Sequence, residues 1–169
     1  MFNKRKSARD KRKSLNSQIH SEYSKEICRK IQNFITDKNV IMIYNAIDGE
    51  VDVSFLLNDK KTFLYPLVVE ENIIAVKSNE FKVGSYGIKE PVGSEYCGQI
   101  DAVIVPMCAF DSKLNRLGFG KGYYDRFLKN KDTLKIGVAF SCQQVDSIEV
   151  KKTDVKMDVI ITENDILEK

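Results

Sequence analysis

The chain of 169 residues is poor in the residues that build metal cages, with one histidine and four cysteines. His20 stands alone, and Cys28, Cys97, Cys108 and Cys142 are scattered with no CxxC pair, so a zinc site is not expected. Free thiols in a reducing compartment are the expectation instead. Long apolar runs are also lacking: no stretch approaches the roughly 20 residues of a bilayer-spanning helix. The opening Met1-Phe-Asn-Lys-Arg5 has no apolar segment of the secretory kind, and a cytoplasmic protein without membrane contact is expected. Repeats, linkers and low-complexity segments are absent, which points to a single domain over residues 1–169. Apolar residues at 43% and charged ones at 30% suit an ordinary globular core.

The net charge of +3 is unevenly placed. Seven of the 27 Lys and Arg residues (Lys4, Arg5, Lys6, Arg9, Lys11, Arg12, Lys13) precede Ser14, against one acid, Asp10, so the rest of the chain is slightly acidic. A basic arm of this kind can bind nucleic acid. A basic helix lying over a phosphate site explains the same charge, and the arm alone leaves the two readings even. Nothing downstream has the pattern of a nucleic-acid module or an aromatic stacking platform.

Residues 2–15 read as a basic helix. Asn16 or Ser17 caps a second, whose stripe of Ile19, Tyr23, Ile27, Ile31, Phe34 and Ile35 recurs at three- and four-residue steps. Apolar runs at 39–44, 62–66, 72–77, 101–106, 134–140 and 157–162 read as strands, and Val51 to Leu57 as the start of another helix. Strands alternating with helices predict an α/β fold: a mostly parallel sheet with helices on both faces, a Rossmann-like three-layer architecture. Ligands in such sheets bind beyond the C-terminal strand ends, where Tyr44, Pro66, Pro106 and Phe140 are expected.

The most informative stretch is Arg116-Leu-Gly-Phe-Gly-Lys-Gly-Tyr-Tyr-Asp-Arg126, which holds three of the nine glycines in five positions. Glycine at every second residue lets backbone N–H groups approach an anion without an obstructing Cβ. Lys121, Arg116 and Arg126 add positive charge, and Asp125 suits a magnesium ion carried with phosphates. Gly122 stands where a Walker A loop needs Ser or Thr, and Tyr123 where the dinucleotide fingerprint needs its third glycine. A glycine-rich hairpin would account for a bare GxGxG. Four charged residues within the same run favour a phosphate loop.

Together with Pro106-x-x-Ala-Phe-Asp111, Gly87-Ile-Lys-Glu-Pro91 and Asp154-Val-Lys-Met-Asp-Val-Ile-Ile-Thr162, this run resembles the 5-formyltetrahydrofolate cyclo-ligase family. The resemblance implies an enzyme that uses ATP and Mg2+ to cyclise 5-formyltetrahydrofolate to 5,10-methenyltetrahydrofolate. It places Arg116, Leu117, Gly118, Phe119, Gly120, Lys121, Gly122, Tyr123 and Tyr124 around the ATP phosphates, with Arg116, Lys121 and Tyr123 at the reacting groups. It gives magnesium to Asp125 and Asp154, and folate to Tyr44, Asn45, Glu50, Tyr86 and Tyr123. A monomer or weak homodimer that binds no nucleic acid is expected.

Read from residues alone, Asp154 is a loop acid, Tyr44 the end of a core strand and Tyr86 a loop aromatic. At the amino terminus the family places a lysine four residues before an arginine. Here the arginine falls on Arg5 and the lysine position on Met1, while a register one turn later pairs Arg5 with Arg9. Arg5 and Arg9 share a helical face, and the resemblance assigns both to ATP. Two rival readings remain: another ATP-using enzyme on this scaffold, and a nucleotide- or RNA-binding protein led by the basic arm.

Overall fold

A computed structural model describes residues 2–58, 60–84 and 87–169. The basic arm forms α1 (Phe2–Lys13), and α2 (Ser17–Phe34) follows at once. Asn16 caps α2 by accepting the Ile19 N–H at 2.9 Å, which satisfies one of the donors a helix start leaves open. The stripe read from the sequence turns inward as expected, with Ile27, Ile31 and Ile35 fully buried. Each such side chain contributes about 1.5–3 kcal/mol by leaving water.

The central sheet contains β1 (Val40–Met42), β2 (Thr62–Val69), β3 (Asn72–Val76), β6 (Ala102–Pro106), β9 (Leu134–Val138), β10 (Val159–Ile161) and β11 (Ile166–Glu168). Its order is β11-β10-β9-β6-β1-β2-β3. The five inner strands run parallel, and β3 and β11 are antiparallel edges. The Asp101 carboxylate pins β1 beside β6 by accepting the N–H groups of Asn39 at 2.8 Å and Val40 at 2.9 Å. Helix α2 packs on one face against Ile41, Ile43, Ile104 and Ile136. The short α3 (Tyr123–Leu128) covers the other, over Met42, Val103, Val105 and Ile160. The mostly parallel α/β sheet with helices on both faces is therefore observed.

Three expectations need correction. The segment from Val51 is no α-helix but a single 3-10 turn, Val53–Leu56, which the Asp52 carboxylate caps through the Ser54 N–H. Pro66 lies inside β2 rather than at its end, because β2 runs on to pair with β3 in a hairpin. Phe140 is fully buried against His20 and Tyr23 instead of facing a ligand site. Two small hairpins complete the fold: β4 (Phe81–Val83) with β5 (Lys89–Pro91), and β7 (Ala109–Phe110) with β8 (Arg116–Leu117).

Strand β1 pairs with β2 on one side and β6 on the other, so the chain reverses its direction of growth between β1 and β6. Ligand clefts of open α/β sheets lie beyond the carboxyl ends of strands at such a reversal.

Candidate active site

A cleft of about 1180 Å3 opens at that place. One wall is the chain just past β1, with Tyr44, Asn45, Ile47 and Glu50, and the other is the glycine run. Arg5 and Arg9 of α1 and the loop at Lys151, Thr153 and Asp154 form its rim. Every residue that the resemblance assigned to ATP, magnesium or folate lines this cleft except Tyr86, which lies outside the described residues.

The β7–β8 hairpin carries the glycine run, and Asp111 braces it. Its buried carboxylate accepts the N–H groups of Lys113, Asn115 and Ile148 and the Asn115 amide, at 2.9–3.1 Å. Burial pushes this carboxyl up, but the bonds from Asn115, Ile148 and Lys113 outweigh it and hold the group below its ordinary value. The loop then passes through Gly120 at φ 103° and Gly122 at φ 68°, conformations that side chains with a Cβ resist, and Gly122 leads directly into α3.

Arg5 Nε donates to the Gly118 carbonyl at 2.8 Å and so ties α1 to the loop. The Arg116 side chain is 5% exposed, and its Nη2 pairs with Asp125 at 2.9 Å. Its Nε is buried with no hydrogen-bond partner among the described residues. The other Asp125 oxygen accepts the Val155 N–H at 3.1 Å, which draws the 154–155 segment against it, and Asp154 accepts the Lys151 N–H at 2.8 Å. Arg126 proves to be a loop brace, donating to the carbonyls of Lys121 and Glu71. Lys121 itself is exposed at the cleft.

On the facing wall, Glu50 is 5% exposed and closes a tight turn. Its N–H donates to Ile47 O at 2.9 Å, and its carboxylate accepts the Ile47 N–H at 3.1 Å. Burial pushes its carboxyl up to about 7, with the Ile47 hydrogen bond and the Arg12 charge working against that. The Tyr44 hydroxyl donates to Val51 O at 2.9 Å and the Asn45 amide to Lys89 O at 2.9 Å. Both are held in place by the fold. Burial first, and then the Glu50 charge, push the Tyr124 phenol up.

Arg12 and Asp48 were not singled out from the sequence. Arg12 sits within a run of cations, yet it is 1% exposed. It donates to Asp48 O at 3.0 Å, Asp48 Oδ2 at 3.3 Å and Met107 O at 3.2 Å. Arg9 and Lys13 also pair with Asp48. The available signal was spacing: Arg5, Arg9 and Arg12 fall four and three residues apart, on one helical face. The arm thus turns much of its charge toward the protein.

The chain matches the sequence model of the 5-formyltetrahydrofolate cyclo-ligase family over residues 3–163. The 5-formyltetrahydrofolate cyclo-ligase of Mycoplasma pneumoniae is 32% identical, covering 94% of this chain and 96% of that protein. That of Mycoplasma genitalium is 30% identical, covering 89% and 90%. The solved structure of Aquifex aeolicus 5,10-methenyltetrahydrofolate synthetase is similar with a TM-score of 0.85 at 33% identity, over 99% of this chain and 91% of that one.

Proposed function

The chain belongs to the 5-formyltetrahydrofolate cyclo-ligase family, and from that premise we propose that it is an ATP-dependent ligase that cyclises 5-formyltetrahydrofolate to 5,10-methenyltetrahydrofolate. The observation that carries this reading is the shared cleft. A cationic glycine loop and a buried carboxylate face each other across one space, suited to a phosphate donor and a pterin.

In the proposed reaction the N5-formyl oxygen forms a bond to the γ-phosphorus of ATP, and the bond to the β-phosphate oxygen breaks to release ADP. The N10 lone pair then forms a bond to the formyl carbon and N10 gives up its proton. The carbon–oxygen bond breaks last, which releases phosphate and leaves the methenyl cation. Little covalent work falls to the protein, so positioning and charge neutralisation carry the acceleration.

Arg5, Arg9 and Lys121 supply positive charge to the phosphates, and the N–H groups of Gly118 to Gly122 supply close donors. Arg116, with its unpartnered Nε, offers a further donor to a bound anion, and Tyr123 stands between the two ligands. Glu50 accepts from the amide-like edge of the pterin, with Tyr44 and Asn45 along the same wall.

Asp125 and Asp154 are the residues that would hold magnesium. Their oxygens are hard donors in adjacent segments, and no larger cage of His, Cys, Asp or Glu occurs among the described residues. That donor set fits an ion that takes one or two carboxylates plus phosphate oxygens and waters. Bound there, it would neutralise charge developing on the phosphate oxygens.

The test follows the formyl oxygen. With substrate labelled by 18O at the formyl group, the label is expected in the released phosphate. Phosphate without label overturns the proposed attack.

A further inference from the structure

The Asp48 side chain gathers more cationic partners than any carboxylate of the cleft walls described above, and it is not itself among the residues that line the cleft. It lies at φ 54°, a left-handed conformation that few residues other than glycine and Asn or Asp accept. Its carboxylate accepts from Arg9 Nε at 2.7 Å, pairs with Arg9 Nη2 at 2.6 Å and Arg12 Nη2 at 3.3 Å, and also holds Lys13. Burial pushes this carboxyl up, but Lys13 and Arg9 outweigh it and keep the group below its ordinary value, hence ionised.

The two arginines are used differently. Arg12 spends all three guanidinium nitrogens, on the Asp48 carbonyl, the Asp48 carboxylate and Met107 O just past β6. It therefore welds α1 to the turn and to the sheet. Arg9 commits one edge, Nε and Nη2, to Asp48, and among the described residues Nη1 has no hydrogen-bond partner and so suits a phosphate oxygen. Phe119 of the glycine run lies under both guanidinium groups, at 5.4 and 5.9 Å. Two residues beyond Asp48 stands Glu50, in the turn closed by the paired bonds with Ile47. Arg9 and the turn that holds Glu50 are thus joined through one carboxylate, which Arg12 and Lys13 also hold.

We propose that Asp48 is a positioning residue that locks the nucleotide-facing Arg9 to the Glu50 turn, so that occupancy of one half of the cleft tightens the other. The proposal rests on the functional reading above. Coupling of this kind is reciprocal: whatever factor folate adds to nucleotide affinity, nucleotide adds to folate affinity.

The experiment measures the dissociation constant of a non-hydrolysable ATP analogue with Mg2+, in the presence and absence of 5-formyltetrahydrofolate. It uses the parent protein, Asp48→Asn, Arg9→Ala and the double variant. Parent protein is expected to bind the analogue about fivefold tighter or more when folate is present. Asp48→Asn keeps an acceptor and tolerates the left-handed backbone, and its ratio is expected to fall toward one. In the Arg9→Ala background the same change is expected to lower the ratio no further. A parental ratio retained in Asp48→Asn overturns the proposal. Should Asp48→Asn fail to fold by circular dichroism, Arg9→Ala decides alone, and an unchanged ratio there overturns it equally. Parent protein that binds both ligands without coupling overturns this inference and leaves the functional reading standing. Parent protein that binds neither overturns both.

Discussion

Glu50→Gln is expected to make the protein more stable in neutral and mildly alkaline solution while making it a poorer folate binder. Glu50 is 5% exposed, and burial pushes its carboxyl from 4.5 up to about 7. Between those values the folded chain keeps a proton that the unfolded chain has released. The stability that the protonated group contributes is full below about pH 4.5 and is lost as pH rises through about 7. At about 1.4 kcal/mol for each pH unit of separation, the loss amounts to about 3 kcal/mol. Glutamine has no such proton to lose, and its side-chain oxygen still accepts the Ile47 N–H. Urea unfolding of parent and variant, followed by circular dichroism at about pH 5 and about pH 8, reads the effect directly. The variant is expected to gain about 2–3 kcal/mol on the parent between the two conditions. In the same variant, folate affinity is expected to fall about tenfold or more through loss of a charge-assisted hydrogen bond, with ATP affinity unchanged. A stability difference that stays constant with pH would refute the reasoning, because the carboxylate would then carry no burial penalty.

Gly120→Val is expected to lower turnover about tenfold to a hundredfold, because φ 103° costs a branched side chain roughly 1–3 kcal/mol and the loop must shift to relieve it. A Cβ there meets Arg5 at an ordinary 3.5 Å, so circular dichroism should be unchanged, and Lys121→Ala should be the milder of the two; parental turnover in folded Gly120→Val contradicts the phosphate-loop reading. Arg12→Ala strips the guanidinium from Asp48 and Met107 in a buried setting and should cost about 3–5 kcal/mol in denaturant unfolding; a loss under about 1 kcal/mol would mean that α1 is not anchored there. Asp125→Asn should raise the Mg2+ concentration needed for half-maximal turnover without weakening folate binding; an unchanged metal requirement removes Asp125 from the metal site.

Much of this architecture is legible in the residues. The stripe of Ile27, Ile31 and Ile35 and the unbroken runs of β1 and β6 are large apolar signals, and burial follows them. The glycine run is legible because its charge and its missing side chains coincide. What escapes is local and weak. The 3-10 turn at Val53–Leu56 buries Val53 and Leu56 three apart, which looks like a helix start, but Asn58 ends it by donating to Leu56 O and accepting the Lys60 N–H. The β2–β3 hairpin turns at Glu70 with φ 55°, a residue that gives no turn signal of its own. Strand β11 is three residues long at the sheet edge, with two of them exposed, so it offers almost no pattern. Arg12 reads as solvent charge because its neighbours are charged, and only the folded turn at Asp48 reveals that it is buried.

The central claim is that one cleft brings a phosphoryl donor and a formylated folate together for reaction. Its most direct test mixes the protein with ATP, Mg2+ and 5-formyltetrahydrofolate and follows the methenyl product by its absorbance, with ADP assayed alongside. The account predicts methenyl product and ADP in equal amounts, with neither formed when ATP, folate or the divalent metal is left out. Full methenyl formation without ATP, or ADP release that ignores the folate, would contradict it.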